Sequence, residues 1–382
     1  MDSKAGVLRL EADRLSDLFG ALQEAGFEIV GPTVRDGAIL YDRIEKVSEL
    51  PRGWTDEQQP GHYRLKRRND DALFGFVVGP FSAKRFLHPP HERLFSATKT
   101  PDGGVQFEAT DSETPRFAFL GLRACELSAV AIQDQVFLHQ DYVDPIYAAR
   151  RNEALFVAVE CTVSGAACFC TSMNTGPEVT DGFDIALTEV VSDEEHYFLV
   201  RTGSDRGRTI VDTLQLNAAE DSETKAGQKR VAAARESIGR RLETEGIKEL
   251  FYRNQEHSIW QDVAQRCLAC GNCTMVCPTC FCTTVEDVTD LGGAFAARDR
   301  RWDSCFSLDF TYANGGQARS SGASRYRQWI THKLASWHDQ FDRSGCVGCG
   351  RCITWCPVGI DITEESAKLR AGEAPGVTRN EQ

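Results

Sequence analysis

The spacing of apolar residues in the first half of the chain alternates between helical and strand-like. Residues 11–25 have apolar residues at helical spacing, namely Leu15, Leu18, Phe19 and Leu22. Gly26 follows and can end the helix. Apolar runs typical of strands follow at 27–30, 73–78, 117–122, 154–159, 185–191 and 197–200, and helical spacing returns at 126–138. This alternation predicts a mixed α/β domain, α+β in class, over residues 1–215.

The second half has a different pattern. Residues 217–230 are polar, and residues 231–252 have apolar positions at helical spacing, so we predict a linker and a helix at 216–255. Residues 326–341 again carry helical spacing, in Trp329, Ile330, Leu334 and Trp337. We therefore expect residues 256–382 to form a mostly α-helical, ferredoxin-like domain.

Two stretches of this second domain share the pattern C-x2-C-x2-C-x3-C-P. The pattern is typical of proteins with two [4Fe-4S] clusters, in which the first three cysteines of a stretch bind one cluster and the fourth binds the other. It predicts one cluster on Cys267, Cys270, Cys273 and Cys356, and a second on Cys346, Cys349, Cys352 and Cys277. Structural zinc sites also use cysteines, but as separated pairs or together with histidine, so we favour iron.

Two predicted strands of the first domain run into cysteines. Cys125 follows 117–122 and Cys161 follows 154–159, with Cys168 and Cys170 close behind. Because sites in open α/β sheets form at the carboxyl ends of strands, these cysteines are placed where a ligand would bind. Four cysteines suffice for a third [4Fe-4S] cluster, although their spacing is irregular; buried free thiols or a zinc site are the alternatives.

Three cysteines remain outside these sets: Cys280, Cys282 and Cys305. They could pack around the clusters, tune the reduction potential through thiol hydrogen bonds, or act as redox-active thiols.

Composition and charge narrow the class of protein. The chain has 382 residues, 15 cysteines and a formal net charge of −13. The N-terminus lacks the pattern of an export signal and no apolar run is long enough to span a membrane, so we expect a cytoplasmic protein with reduced thiols that bind metal. The negative charge argues against nucleic-acid binding. No constellation of catalytic residues is evident, which favours electron transfer.

Six runs of the sequence resemble one family: 121–137, 160–177, 266–282, 301–305, 325–334 and 345–357. They are similar to the iron-sulfur β subunit of cytoplasmic NAD(P)-linked [NiFe] hydrogenases, also called sulfhydrogenases, and to the equivalent iron-sulfur subunit of anaerobic sulfite reductase. The likeness spans nearly the whole chain and is weakest before residue 70. Glu126 departs from the Asp expected in related sequences, which leaves the role of this acid open.

The resemblance implies an electron-transfer subunit that is not itself catalytic. Its expected partners are a flavin and [2Fe-2S] subunit that oxidises NAD(P)H, and the small and large subunits of a [NiFe] hydrogenase. It supports ligand roles for the twelve cysteines assigned above and implies no flavin in this chain. Two alternatives stay open: the equivalent subunit of a sulfite reductase, paired with a siroheme subunit, and a flavin-binding oxidoreductase subunit with its own site in residues 1–215.

Overall fold

The computed structural model describes residues 6–109 and 114–372. Its strands are β1 (Leu8–Glu11), β2 (Glu28–Arg35), β3 (Ala38–Arg43), β4 (Trp54–Gln59), β5 (His62–Arg67), β6 (His91–Lys99), β7 (Val105–Ala109), β8 (Phe117–Leu122), β9 (Leu155–Val159), β10 (Ile185–Val191), β11 (His196–Thr202), β12 (Asn217–Ala218), β13 (Thr283–Thr289), β14 (Phe295–Trp302), β15 (Tyr312–Ala313) and β16 (Gly316–Gln317).

The helices are α1 (Leu15–Glu24), α2 (Lys84–Leu87), α3 (Ala124–Phe137), α4 (Pro145–Glu153), α5 (Asp205–Thr213), α6 (Asp221–Glu236), α7 (Ile247–Arg253), α8 (Ile259–Arg266), α9 (Asn272–Met275), α10 (Gly322–Thr331), α11 (Trp337–Phe341), α12 (Arg351–Thr354) and α13 (Ile362–Ala371). A π-helical turn, His332–Ser336, joins α10 to α11. Short 3-10 turns occur at Ala12–Arg14, Val47–Glu49, Cys170–Met173 and Asp309–Thr311.

An eight-stranded sheet forms the first half of the molecule, in the order β12-β1-β11-β10-β9-β8-β2-β3. Its central strands β10, β9, β8 and β2 are parallel, and the flanking strands pair antiparallel. Strands β8 and β9 are buried along their whole length because apolar layers cover both faces of the sheet. The mixed α/β character predicted from the sequence is confirmed.

The predicted strand at 73–78 is wrong, and the structure supplies the reason. The segment is buried but unpaired with any strand, because side chains satisfy its backbone. The Glu189 carboxylate accepts from the N–H groups of Leu73 and Phe74 at 2.6 and 2.8 Å. The guanidinium of Arg123 donates to the carbonyls of Phe74 and Phe76 at 2.8 and 2.9 Å.

The second half differs from the prediction in two ways. The expected helix at 231–252 is interrupted: α6 ends at Glu236, and α7 begins only after Gly246, which has a φ of 61°. The 68-residue gap between Cys277 and Cys346 holds a hairpin of β13 and β14 in addition to α10 and α11. This hairpin joins β6 and β7 of the first half in a four-stranded sheet of order β13-β14-β6-β7. Residues after 256 therefore contain strands as well as helices.

Candidate metal centres

The first cysteine loop follows α8 and turns into the short helix α9. Gly271 caps α9 with a φ of 72°, a left-handed conformation that favours glycine and lets the loop reverse between Cys270 and Cys273. Burial raises the pKa of the Cys273 thiol, and the neighbouring sulfurs of Cys267, Cys356 and Cys270 raise it further. The structure thus brings together the cysteines predicted for the first cluster, which we call set 1: Cys267, Cys270, Cys273 and Cys356.

The second loop repeats this design. Gly350, with a φ of 78°, caps helix α12 as Gly271 caps α9. Burial raises the pKa of the Cys352 thiol, and the neighbouring sulfurs of Cys346, Cys277 and Cys349 raise it further. These are the cysteines predicted for the second cluster, called set 2: Cys346, Cys349, Cys352 and Cys277. In both sets the last cysteine comes from the other loop.

The sheet-edge cysteines are also close together. Cys125 begins α3 directly after β8, Cys161 follows β9, and Cys170 begins a 3-10 turn. Burial raises the pKa of the Cys170 thiol to about 12, with contributions from Cys161 and Cys349. Burial likewise raises the pKa of Cys168, with contributions from Cys170, Cys161 and Cys349. We call this group set 3: Cys125, Cys161, Cys168 and Cys170.

Set 3 lies directly against the second cysteine loop. The N–H of Phe169 donates to the carbonyl of Gly348 at 2.8 Å. A Cβ on Gly348 would lie 2.6 Å from the carbonyl oxygen of Phe169, and one on Gly350 would lie 2.5 Å from that of Ala167. These two glycines therefore permit a backbone-to-backbone contact between sets 2 and 3, a role that their place in the motif did not reveal.

A buried ion pair spans the same contact. Arg351, between Cys349 and Cys352, donates to Glu126 Oε1 at 2.6 Å, and both side chains are almost inaccessible to solvent. The hydroxyl of Tyr41 donates to Glu126 Oε2 at 2.8 Å, and Arg351 Nε donates to the carbonyl of Gly79 at 2.7 Å. Glu126, whose role the sequence left open, thus joins the start of α3, next to Cys125, to the second loop.

Several buried donors around the cysteines have no hydrogen-bond partner within residues 6–109 and 114–372: Arg325 Nε and Nη1, Arg351 Nη1, Trp329 Nε1 and the Tyr326 hydroxyl. Tyr326 and Trp329 line the same cavity as the cysteines of set 1. Burial raises the pKa of the Cys267 thiol, and the charge of Arg325 opposes that rise. Buried donors normally have acceptors. Sulfide and thiolate sulfurs of a bound cluster would supply them, so the residues present fit iron-sulfur clusters.

Sequence reasoning missed the buried cations that surround the sets. Lys333 is 5% exposed, and its Nζ lies 3.3 Å from Cys277 Sγ, 2.9 Å from Thr279 Oγ1 and 3.1 Å from the carbonyl of Gly345. The burial of Lys333 could have been predicted, because it follows Trp329 by four residues and Ile330 by three and so lies on the apolar face of the predicted helix.

Within the described residues, no group of three or more His, Cys, Asp or Glu side chains is arranged to hold a single metal ion. No helix in this part of the chain is both long enough and apolar enough to cross a membrane.

Comparisons with known proteins agree with this arrangement. Residues 266–360 match the family model of the 4Fe-4S dicluster domain, which contains sets 1 and 2. The chain is 28% identical over 372 residues to sulfhydrogenase 2 subunit beta of Pyrococcus furiosus, and the match covers 96% of this chain and 98% of the relative. No solved structure matches the chain. The expected resemblance is confirmed: the chain is similar over nearly its whole length to a sulfhydrogenase β subunit, and it carries a domain for two [4Fe-4S] clusters.

Proposed function

We propose that this chain relays electrons through three [4Fe-4S] clusters, bound by sets 1, 2 and 3, between an NAD(P)H-oxidising flavin subunit and a [NiFe] hydrogenase module. The observation that carries the proposal is the continuity of the sets. Cys273 of set 1 lies beside Cys277 of set 2. Cys349 of set 2 lies beside Cys125, Cys168 and Cys170 of set 3. The cysteines thus form one unbroken series.

The series approaches the protein surface at both ends, as a relay between two partners requires. At one end Cys270 is exposed, and Leu268 beside it is 64% exposed. In set 3 Cys161 and Cys168 are partly exposed, as are Cys346 and Cys352 of set 2, whereas Cys125 and Cys170 are buried. We infer that one partner docks over set 1 and the other over set 3.

Bound clusters would accept and release single electrons at potentials set by charge, burial and hydrogen bonding. The chain's own residues supply these three influences. Arg351 and Lys333 place positive charge beside set 2, and the unpartnered donors of Arg325 and Tyr326 lie beside set 1. The apolar packing of Phe306, Trp329 and Ile330 excludes water from the space between the loops.

The hydrogenase partner is favoured over a sulfite reductase because the relative described above is named as a subunit of a sulfhydrogenase. Under this proposal the chain carries no flavin of its own.

Iron analysis of the anaerobically purified chain tests the relay. We expect at least about twelve iron atoms per chain, and about four fewer in a Cys168→Ser variant, because only set 3 loses a ligand. A Cys270→Ser variant is the matched control and should lose set 1 while keeping the signals of set 3. Unchanged iron in the Cys168→Ser variant would show that set 3 is not a cluster site.

The catalytic role is tested separately. The isolated chain should not reduce a dye with NAD(P)H and should show no flavin absorbance. It should accept electrons only when a flavin subunit is added. NAD(P)H-dependent dye reduction by the isolated chain would contradict the proposal.

A further inference from the structure

The cysteines left outside the three sets meet at one cavity. Cys280, Cys282 and Cys305 all line a space of about 380 Å³ between the segment 279–282, α10, the π-helical turn and α11. Strands β13 and β14 bring them together, since Thr283 pairs with Trp302 and the N–H of Asp303 donates to the carbonyl of Cys282 at 2.8 Å. Cys280 and Cys282 are separated by one residue, and Cys305 joins them from the far end of the hairpin.

Two buried lysines lie beside these thiols. Lys84 is 6% exposed; its Nζ lies 3.1 Å from the carbonyl of Cys280 and 3.9 Å from the centre of the Trp302 ring. Lys333 lies beside Cys277 and Cys280. Over residues 6–109 and 114–372, neither ammonium group forms an ion pair with a carboxylate.

Burial of two ammonium groups is costly unless a negative charge lies close to them. A cluster on set 2 supplies charge on one side of Lys333, through Cys277. The Nζ of Lys84 lies 3.1 Å from the carbonyl oxygen of Cys280, so negative charge on the remaining thiols would stabilise its ammonium group. Neutral thiols would not supply this charge, whereas thiolates bound to a metal centre would.

We propose that Cys280, Cys282 and Cys305 bind a fourth iron-sulfur cluster in this cavity, with Lys84 and Lys333 as its counter-charges. Cysteine thiolates are the ligands of such clusters, and histidine replaces cysteine in some of them. His332 lines the same cavity and supplies the fourth ligand. It stands in the π-helical turn, a type of irregularity that is frequent at functional sites.

The position of the fourth site gives it a role beyond the linear relay. Cys280 lies beside Cys277 of set 2, and Cys305 lies beside Cys273 of set 1. A cluster here would make a branch next to the junction of sets 1 and 2. Such a branch would hold an additional electron while the main series turns over.

A double variant, Cys282→Ser with Cys305→Ser, tests the site through metal content. We expect wild-type iron to exceed about twelve atoms per chain, and the double variant to lose the excess together with the matching acid-labile sulfide. Cys168→Ser is the matched control, because it should remove the iron of set 3 and leave the fourth site intact. Wild-type iron of twelve or fewer atoms, unchanged in the double variant, would overturn the fourth site and leave the three-cluster relay standing. Stoichiometric zinc in place of the excess iron would also overturn it.

Alkylation of the unmodified protein gives a measurement that does not depend on the folding of a variant. Thiolates bound to a cluster are protected, so iodoacetamide should leave the peptides with Cys280, Cys282 and Cys305 unmodified until the iron is removed with a chelator. Lys84→Met should lower the iron retained at the fourth site and leave sets 1 and 3 unaffected. Rapid alkylation of all three cysteines in the iron-loaded chain would overturn the proposal.

Discussion

The loops of sets 1 and 2 and the sheet-edge cysteines of set 3 reach a similar arrangement by different routes. In the loops, two-residue gaps and a left-handed glycine gather three cysteines within one turn. In set 3, strands β8 and β9 and the 3-10 turn at Cys170–Met173 each bring part of the group. Local geometry builds the first kind of site, whereas only the completed sheet can build the second.

The second loop also supports set 3. Gly348 and Gly350 touch the backbone of 167–170, and Arg351 holds Glu126. Set 3 therefore depends on the dicluster region for its packing. The following changes test whether this dependence is real and in which direction it runs.

The largest effect is expected from Arg351→Met. The change leaves the buried Glu126 carboxylate without its cationic partner, which typically costs about 3–5 kcal/mol. We expect the free energy of unfolding in guanidinium, measured anaerobically, to fall by this amount. Iron should be lost first from set 3, because Glu126 follows one of its ligands.

The matched control is Arg351→Met combined with Glu126→Gln. Removal of both charges should restore part of the lost stability, since a neutral amide can still accept from the Tyr41 hydroxyl. If the double variant is as unstable as Arg351→Met alone, the ion pair is not what joins the two regions.

An intermediate effect is expected from Gly350→Ala. The left-handed conformation costs an L-residue about 1–3 kcal/mol, and the new Cβ would lie 2.5 Å from the carbonyl oxygen of Ala167. We expect the electron paramagnetic resonance signal of set 3 to shift or disappear along with a loss of stability. This outcome would show that the second loop holds 167–170 in place.

Gly271→Ala provides a matched control at the same motif position in the first loop. Its φ of 72° imposes similar backbone strain, but the atoms nearest to the new Cβ belong to side chains, those of Ser304 at 3.0 Å and Thr274 at 3.8 Å. It should destabilise the chain and leave the signal of set 3 unchanged. Equal effects of both variants on set 3 would mean that strain in either loop spreads through the whole protein.

The sequence could predict the sites built from neighbouring residues better than the site that forms only in the completed fold. The three cysteines of each loop could be predicted because they are neighbours in the sequence. The motif itself predicts that the last cysteine of each loop binds the other cluster. The closeness of Cys125 to Cys170 was inferred from strand ends, but the contact with Gly348 was not visible because it joins residues 178 positions apart. The segment 73–78 has the apolar pattern of a strand, yet Glu189 and Arg123 take the place of a neighbouring strand. Side-chain partners of this kind have no local signature.

The smallest effect concerns the hairpin of β4 and β5, which contacts the second loop through Gln58 and Thr354. Asp56 accepts from Gln58 and from the N–H of Val77, and burial raises the pKa of its carboxyl to about 6, above its value in the unfolded chain. The folded state therefore holds this proton more tightly. The resulting stabilisation is complete below about pH 4 and is lost as the pH rises through about 6.

For the wild type we therefore expect ionisation of Asp56 to lower the free energy of unfolding by about 1 kcal/mol as the pH rises from 5 to 7. Asp56→Asn should remove that slope, because the amide does not titrate and its oxygen can still accept from Val77. Glu57→Gln is the matched control, since Glu57 is the next residue and its carboxylate is paired with Lys66 at the surface. A slope that persists in Asp56→Asn would assign the pH dependence to another group. A slope that disappears would identify Asp56 as the point where pH acts on the contact between this hairpin and the second cysteine loop.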